Sequence, residues 1–197
     1  MQGGSQVQET SGAGLRRALD RRAAIEWARG LLRAPEEWVI LDTETTGLGL
    51  TDEIIQIGIL APDERVVLDS LVRPLARESI PAAATAVHGI TLERLAGAPT
   101  FPELAPRIAE AVRERRIVAY NAEYDRRLLT QTALMTGARK PDAQWECAML
   151  AYARFVGEWD FRKNDYRYQR LPSGDHSAIG DCRATLKIIR AMAAAQH

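Results

Sequence analysis

The sequence carries no excess of charge of either sign: 26 Lys and Arg balance 26 Asp and Glu over 197 residues. The strongly basic field that announces a nucleic-acid partner is missing, so any basic surface must be local. Cysteine is scarce. Cys147 and Cys182 are the only two; they form no CxxC pair and no disulfide framework, which suits a reducing, cytoplasmic setting. No apolar run approaches the ~20 residues that span a bilayer, so no membrane partner is expected. Residues 1–14 are rich in Gln, Gly and Ser without an apolar centre and do not read as a signal peptide. No internal repeat stands out.

What is present is ordinary globular stock. Hydrophobic residues make up 46% and charged residues 26%, and the length suits one domain with a sizeable core. Residues 1–13 read as a disordered tail, and the single domain is expected over 14–197. Leu15, Leu19, Trp27 and Leu31, with alanines between them, predict an amphipathic helix over 14–34 that Pro35 ends. Its other side carries Arg16, Arg17, Arg21, Arg22 and Arg29, either a solvated or a nucleic-acid face. The core follows over 36–195.

Three strands open the core, at 38–44, 53–60 and 65–72. The link Ala61-Pro62-Asp63-Glu64 is hairpin length, so the sheet should begin antiparallel. Helices are expected at 91–96 and 101–115, then a short buried strand at 117–120. Asn121 can cap the next helix, which Gly137 stops near 136. A strand at 144–147, a helix at 148–155, an irregular stretch at 157–175 and a last helix at 177–195 complete the chain. Strands first, then strands mixed with helices, indicate an α/β domain with a mixed sheet flanked by helices.

The apolar run Trp38-Val39-Ile40-Leu41 leads straight into Asp42-Thr43-Glu44-Thr45-Thr46-Gly47. Side chains alternate along a strand, so Asp42 and Glu44 share a face. Two carboxylates at the end of a buried strand repel and lose water, which a cation can compensate. A plain turn is the competing reading. Asp125 sits early in the helix after the fourth strand, and Asp181 one turn into the last helix. His176 precedes Asp181 by five residues. Five helical residues turn through about 500°, leaving the pair roughly 140° apart, so His176 must sit on the irregular segment before the helix if both serve one point.

Asp42-Thr43-Glu44-Thr45-Thr46-Gly47, Tyr120-Asn121-Ala122-Glu123-Tyr124-Asp125 and His176-Ser177-Ala178-Ile179-Gly180-Asp181 resemble the three motifs of the DEDDh 3′→5′ exonucleases, over about residues 36–195. That family includes the proofreading epsilon subunit of bacterial DNA polymerase III. The resemblance implies a ribonuclease-H-like fold and two divalent cations, Mg²⁺ or Mn²⁺, on Asp42, Glu44, Asp125 and Asp181. It implies that Asp42 bridges both ions and that His176 takes the proton of the attacking water. The expected product is a nucleoside 5′-monophosphate from the 3′ end of single-stranded or frayed nucleic acid, DNA favoured over RNA, with a polymerase or repair protein as a further partner.

For substrate contact the resemblance implies Thr45, Thr46 and Gly47 through exposed N–H groups, Leu48 as an apolar wedge, and His88 and Asn121 near the terminal nucleotide. Leu48 as a core residue and Asn121 as a plain cap compete. Trp159, Phe161, Tyr166 and Tyr168 interleave with Arg162, Lys163, Arg167 and Arg170, for stacking on a single strand or for packing a loop. Two other functions remain open at this level: a non-catalytic domain that binds nucleic acid or a polymerase, and a phosphohydrolase of free nucleotides. Loss of a core residue would favour the first, a closed pocket the second.

Overall fold

The computed structural model describes residues 4–76 and 79–196, with backbone alone for 4–11 and 13. Helix α1 (Gly4–Arg33) leads through a 3₁₀ turn at Pro35–Glu37 into β1 (Trp38–Thr45). Strands β2 (Ile54–Leu60) and β3 (Val66–Leu71) follow, then helices α2 (Ala82–His88), α3 (Leu92–Leu95) and α4 (Phe101–Ala111). Strand β4 (Arg116–Ala119), α5 (Ala122–Thr136), β5 (Trp145–Cys147) and α6 (Ala148–Val156) come next. A small hairpin of β6 (Trp159–Asp160) and β7 (Asp165–Tyr166) precedes α7 (Ala178–Ala194).

The five-stranded sheet has the order β3-β2-β1-β4-β5. Its first three strands pair antiparallel, as the hairpin-length link predicts, and β4 and β5 add parallel to β1. Strand β1 is central and buried on both faces. Val39 and Leu41 point into a core with Phe101, Leu104 and Ile108 of α4 and Leu128 and Leu129 of α5. Trp38 and Ile40 point the other way, among Ala24, Ala28 and Leu31 of α1 and Cys182, Leu186 and Ile189 of α7. The alternation along β1 thus assigns each residue to a helix layer.

Three sequence expectations need correction. The tail expected over 1–13 is helical from Gly4, and residues 1–3 lie outside the described residues. Gln6, Gln8 and Glu9 are good helix formers, and single glycines at 12 and 14 cost only ~1 kcal/mol each. Leu15 and Leu19, expected on the core side, are 64% and 57% exposed because α1 outruns the body on which Ala24, Ile25, Ala28 and Leu31 pack. Helix α2 has no counterpart in the sequence reading. Its signal was propensity rather than periodicity, a run of alanines after Pro81 closed by Gly89 at φ 67°. Gly137, by contrast, stops α5 as expected, in the left-handed region at φ 69°.

A candidate active site at the end of β1

Asp42 and Glu44 occupy even positions of β1, on the α7 side of the sheet. Asp42 lies opposite Gly58 of β2 and Glu44 opposite Gln56, and the register shifts after Glu44. A bulge there lets the strand end splay and re-aims its side chains. Helix α7 brings Asp181 down onto this face. Helix α5, on the opposite face, brings Asp125, whose Oδ1 accepts a hydrogen bond from Thr43 Oγ1 at 2.8 Å. Two helices on two faces therefore deliver their acids to the end of one strand.

Ligand-capable atoms of Glu44, His176 and Asp181 all lie within 4.8 Å of one another. Asp42 and Asp125 stand outside that set, but their charges are felt across it: Asp125, Asp181 and Glu44 all push up the pKa of Asp42. His176 is the second residue before α7 and has φ 59°, so it sits off the helix, as the rotation per residue requires. Its turn is built on the acid it accompanies. The N–H groups of Asp175 and His176 donate to Asp181 Oδ1 at 2.9 and 3.3 Å, while Asp175 Oδ1 accepts from Ser177 N–H and Oγ at 3.0 and 2.7 Å.

All four acids are held neutral more readily than free carboxylates. Burial, then the charges of Asp181, Asp125 and Asp175, pushes Glu44 up to about 8. Burial pushes Asp125 up to about 7 against the pull of the Thr43 hydroxyl. Asp42 is raised well above its ordinary value and Asp181 is raised, burial leading in both. Among the described residues no Lys or Arg pairs with any of the four. Four crowded oxygen donors without a counter-charge fit a hard divalent cation.

A stability prediction follows from the direction of these shifts. Groups raised in the fold stabilise it fully below their ordinary values, 4.5 for Glu44 and 3.8 for Asp125, and this is lost as pH rises through about 8 and about 7. The metal-free protein should therefore melt at lower temperature at pH ~9 than at pH ~5. Mg²⁺ or Mn²⁺ should raise the melting temperature most at the alkaline end. A calorimetric pH series with and without the ion checks this, and a melting temperature that climbs with pH in the metal-free protein contradicts it.

Gly58 went unnoticed in the sequence, although a glycine inside a strand signals close approach. A Cβ there would meet the Ala178 carbonyl carbon at 2.8 Å and the Ile179 nitrogen at 2.9 Å. Only glycine lets the first turn of α7 lie this close to β2 and brings Asp181 to Asp42. Gly58→Ala should push α7 outward, cost roughly 1–3 kcal/mol, and depress activity more than stability explains. Denaturant unfolding and turnover of the same variant give both numbers, and unchanged turnover would refute the positioning role.

Beside the acids opens a groove of about 530 Å³, walled by residues 43–48 and by Pro81, Ala84, Val87 and His88 of the α2 segment. Its β1 wall is a braced loop. Asp52 Oδ1 accepts from Thr46 Oγ1 and its Oδ2 from Gly49 N–H. Tyr124 OH donates to the Gly47 carbonyl at 3.2 Å, and Gln131 Nε2 to the carbonyls of Gly49 and Asp52. Glu53, 1% exposed, accepts the N–H groups of Leu75 and Ala76 and so ties down the chain leading to α2. These braces were invisible in sequence because their partners are distant along the chain.

The predicted substrate residues divide. Leu48 is 81% exposed, which removes the core reading, and Leu50 beside it is equally exposed. Asn121 holds the N-cap position of α5, yet its side chain makes no capping bond. His88 Nδ1 accepts from Ile90 N–H at 3.0 Å, which leaves Nε2 as the N–H donor, buried beside the Thr45 carbonyl. Burial holds its pKa below the usual imidazole value. Thr46 corrects the expectation of free N–H groups: it is fully buried, and its N–H donates to the Glu53 carbonyl at 2.9 Å, prolonging the β1–β2 ladder. Thr45 Oγ1 donates to the Gly47 carbonyl at 2.8 Å. Of the four aromatics between α6 and α7, Tyr166 is buried and Trp159 half-buried, while Phe161 and Tyr168 are exposed.

Fold and site together define a ribonuclease-H-like exonuclease. The sheet and helices superpose on Escherichia coli exonuclease I in complex with a dA16 oligonucleotide (TM-score 0.61, 16% identity, 77% of this chain and 39% of that one). They also superpose on exonuclease X in complex with 5′ overhanging duplex DNA (TM-score 0.55, 26% identity, 81% and 94%). In sequence the chain is 37% identical over 175 residues to the uncharacterized exonuclease CP81 of Escherichia phage 186, covering 80% of this chain and 89% of that one. It is 36% identical over 160 residues to a DNA polymerase III subunit epsilon-like protein of Rhodobacter capsulatus, spanning 22% of that longer protein. Residues 39–189 match the exonuclease (RNase T) family model, and the chain belongs to that family. It is an exonuclease by that membership.

Proposed function

We propose that the protein removes nucleoside 5′-monophosphates one at a time from the 3′ end of single-stranded or frayed DNA. The observation that carries this reading is the convergence of Glu44, His176 and Asp181 within 4.8 Å, with the charges of Asp42 and Asp125 felt beside them and with Glu44 also lining the neighbouring groove. The epsilon-like and PolC-type relatives support DNA as substrate and a polymerase as neighbour.

Asp42, Glu44, Asp125 and Asp181 would hold two divalent cations, Mg²⁺ or Mn²⁺. When bound, such ions acidify a water and offset charge on the reacting phosphate. His176 accepts the water's proton as the new P–O bond forms. The P–O3′ bond breaks, the departing O3′ takes a proton from solvent so that the shortened strand keeps a 3′ hydroxyl, and the released nucleotide carries the phosphate. The Asn121 side chain, which makes no capping bond, is the donor available to the terminal nucleotide, and His88 lines the groove beside it. Leu48, held out by the braced loop, is the apolar surface against its base.

A 5′-labelled strand should shorten as a ladder from its 3′ end, with DNA degraded faster than RNA of the same sequence. A duplex end should react slowly, since unpairing costs a few kcal/mol. Internal cuts in a circular single strand would refute the polarity, and faster loss of RNA would refute the substrate class.

A further inference from the structure

A second cleft, of about 310 Å³, lies between α1 and the β6–β7 hairpin, lined by Gly12, Arg16, Arg17, Trp159, Phe161 and Tyr166. Two of its aromatics hold the hairpin in place. Tyr166 OH donates to Asp20 at 2.8 Å, and Trp159 meets the Tyr166 ring edge-on at 5.1 Å. Phe161 does neither: it is 83% exposed, an apolar ring in water beside two guanidinium groups. Arg16 and Arg17 are exposed and form no ion pair among the described residues. The nearby acids are already engaged. Asp20 holds Tyr166, Asp160 accepts the N–H groups of Arg162 and Lys163, and Asp165 accepts the N–H of Tyr166.

The cleft stands level with the catalytic acids. Helices α1 and α7 lie side by side with their C-termini at the same end, where Arg29 donates to the carbonyls of Ala193 and Ala195 at 3.0 and 2.9 Å. At 1.5 Å per residue, about 18 Å back along α7 from Ala193 reaches Asp181, and about 18 Å back along α1 from Arg29 reaches Arg17. The segment after the hairpin is tied to the same end of the sheet by Tyr120 OH, which donates to the Gln169 carbonyl at 2.7 Å. Tyr120 immediately precedes Asn121 at the mouth of the site.

We infer that this cleft binds the single strand on the 5′ side of the nucleotide being removed, with Phe161 stacking a base and Arg16 and Arg17 meeting its phosphates. The inference rests on the exonuclease reading. An exposed ring gives sequence-tolerant stacking and flanking arginines give phosphate contact, the combination single-stranded nucleic acid uses. The partner is thus a flexible polyanion with π-faces; an acidic protein segment would satisfy the arginines but leave Phe161 without a role.

The test compares Phe161→Ala, Phe161→Trp and Arg16→Ala/Arg17→Ala with wild type on a DNA dinucleotide and on a single strand of about 16 nucleotides. For the long strand, KM should rise roughly 5–100-fold in Phe161→Ala with kcat unchanged, and Phe161→Trp should restore it. Kinetics on the dinucleotide should not move. The double arginine variant should bind the long strand with a salt slope shallower by about 1.4. Equal KM for the long strand in all variants, or equal losses on both substrates, overturns the inference while leaving the exonuclease reading intact. If wild type hydrolyses neither substrate the exonuclease reading fails instead. Fluorescence anisotropy of the labelled strand then decides the cleft: weaker binding in Phe161→Ala upholds it, and equal binding rejects it.

Discussion

Asp42→Ala is expected to lower turnover at least ~10³-fold while leaving the fold intact. Asp42 sits on the buried central strand, opposite Gly58, where it feels the charges of the acids delivered by α5 and α7. The variant should also reveal the strain in the site. Burial and the charges of Asp125, Asp181 and Glu44 all raise the pKa of Asp42, so its ionised form opposes folding. Without metal the variant should melt higher than wild type at alkaline pH, where wild-type acids are forced to ionise, and the gain should vanish near pH ~4. With saturating Mg²⁺ the order should reverse, since the wild type gains more from the ion. Near-wild-type turnover, or a variant less stable than wild type in excess chelator at pH ~9, would contradict this.

His176→Ala is expected to slow hydrolysis by roughly 10²–10⁴-fold and to leave Mn²⁺ binding in place. His176 occupies a turn anchored through backbone N–H groups to Asp181, so removing its imidazole leaves the hydrogen bonds of the turn intact. The variant should keep its affinity for a single strand. Hydrolysis within a few-fold of wild type would assign the proton to another acceptor.

Much of the site was legible because its acids obey local periodicities. Alternation along 38–44 was enough to place Asp42 and Glu44 together, and Val39 and Ile40 confirm the faces through their separate cores. The 100° step of a helix was enough to expel His176 from α7. What stayed hidden depends on contacts across the chain. Thr46 looked like a free N–H beside the acids, but pairing with Glu53 extends past the bulge and consumes it. Gly58 looked like any strand glycine until α7 lay against it. Helix α2, which walls the groove, carries no apolar stripe because it buries almost nothing, so only its alanine content could signal it. The start of α1 was misplaced for a related reason: residues 4–13 offer no apolar stripe, so only helix propensity could carry the helix back to Gly4.

The most direct test of the acid site as the seat of a metal-dependent 3′→5′ exonuclease is release of mononucleotides from a 5′-labelled single strand, followed before and after chelation. Hydrolysis should stop in excess chelator and return on addition of Mg²⁺ or Mn²⁺, in wild type and not in Asp42→Ala. Steady release of mononucleotides from wild type in the presence of chelator would contradict it.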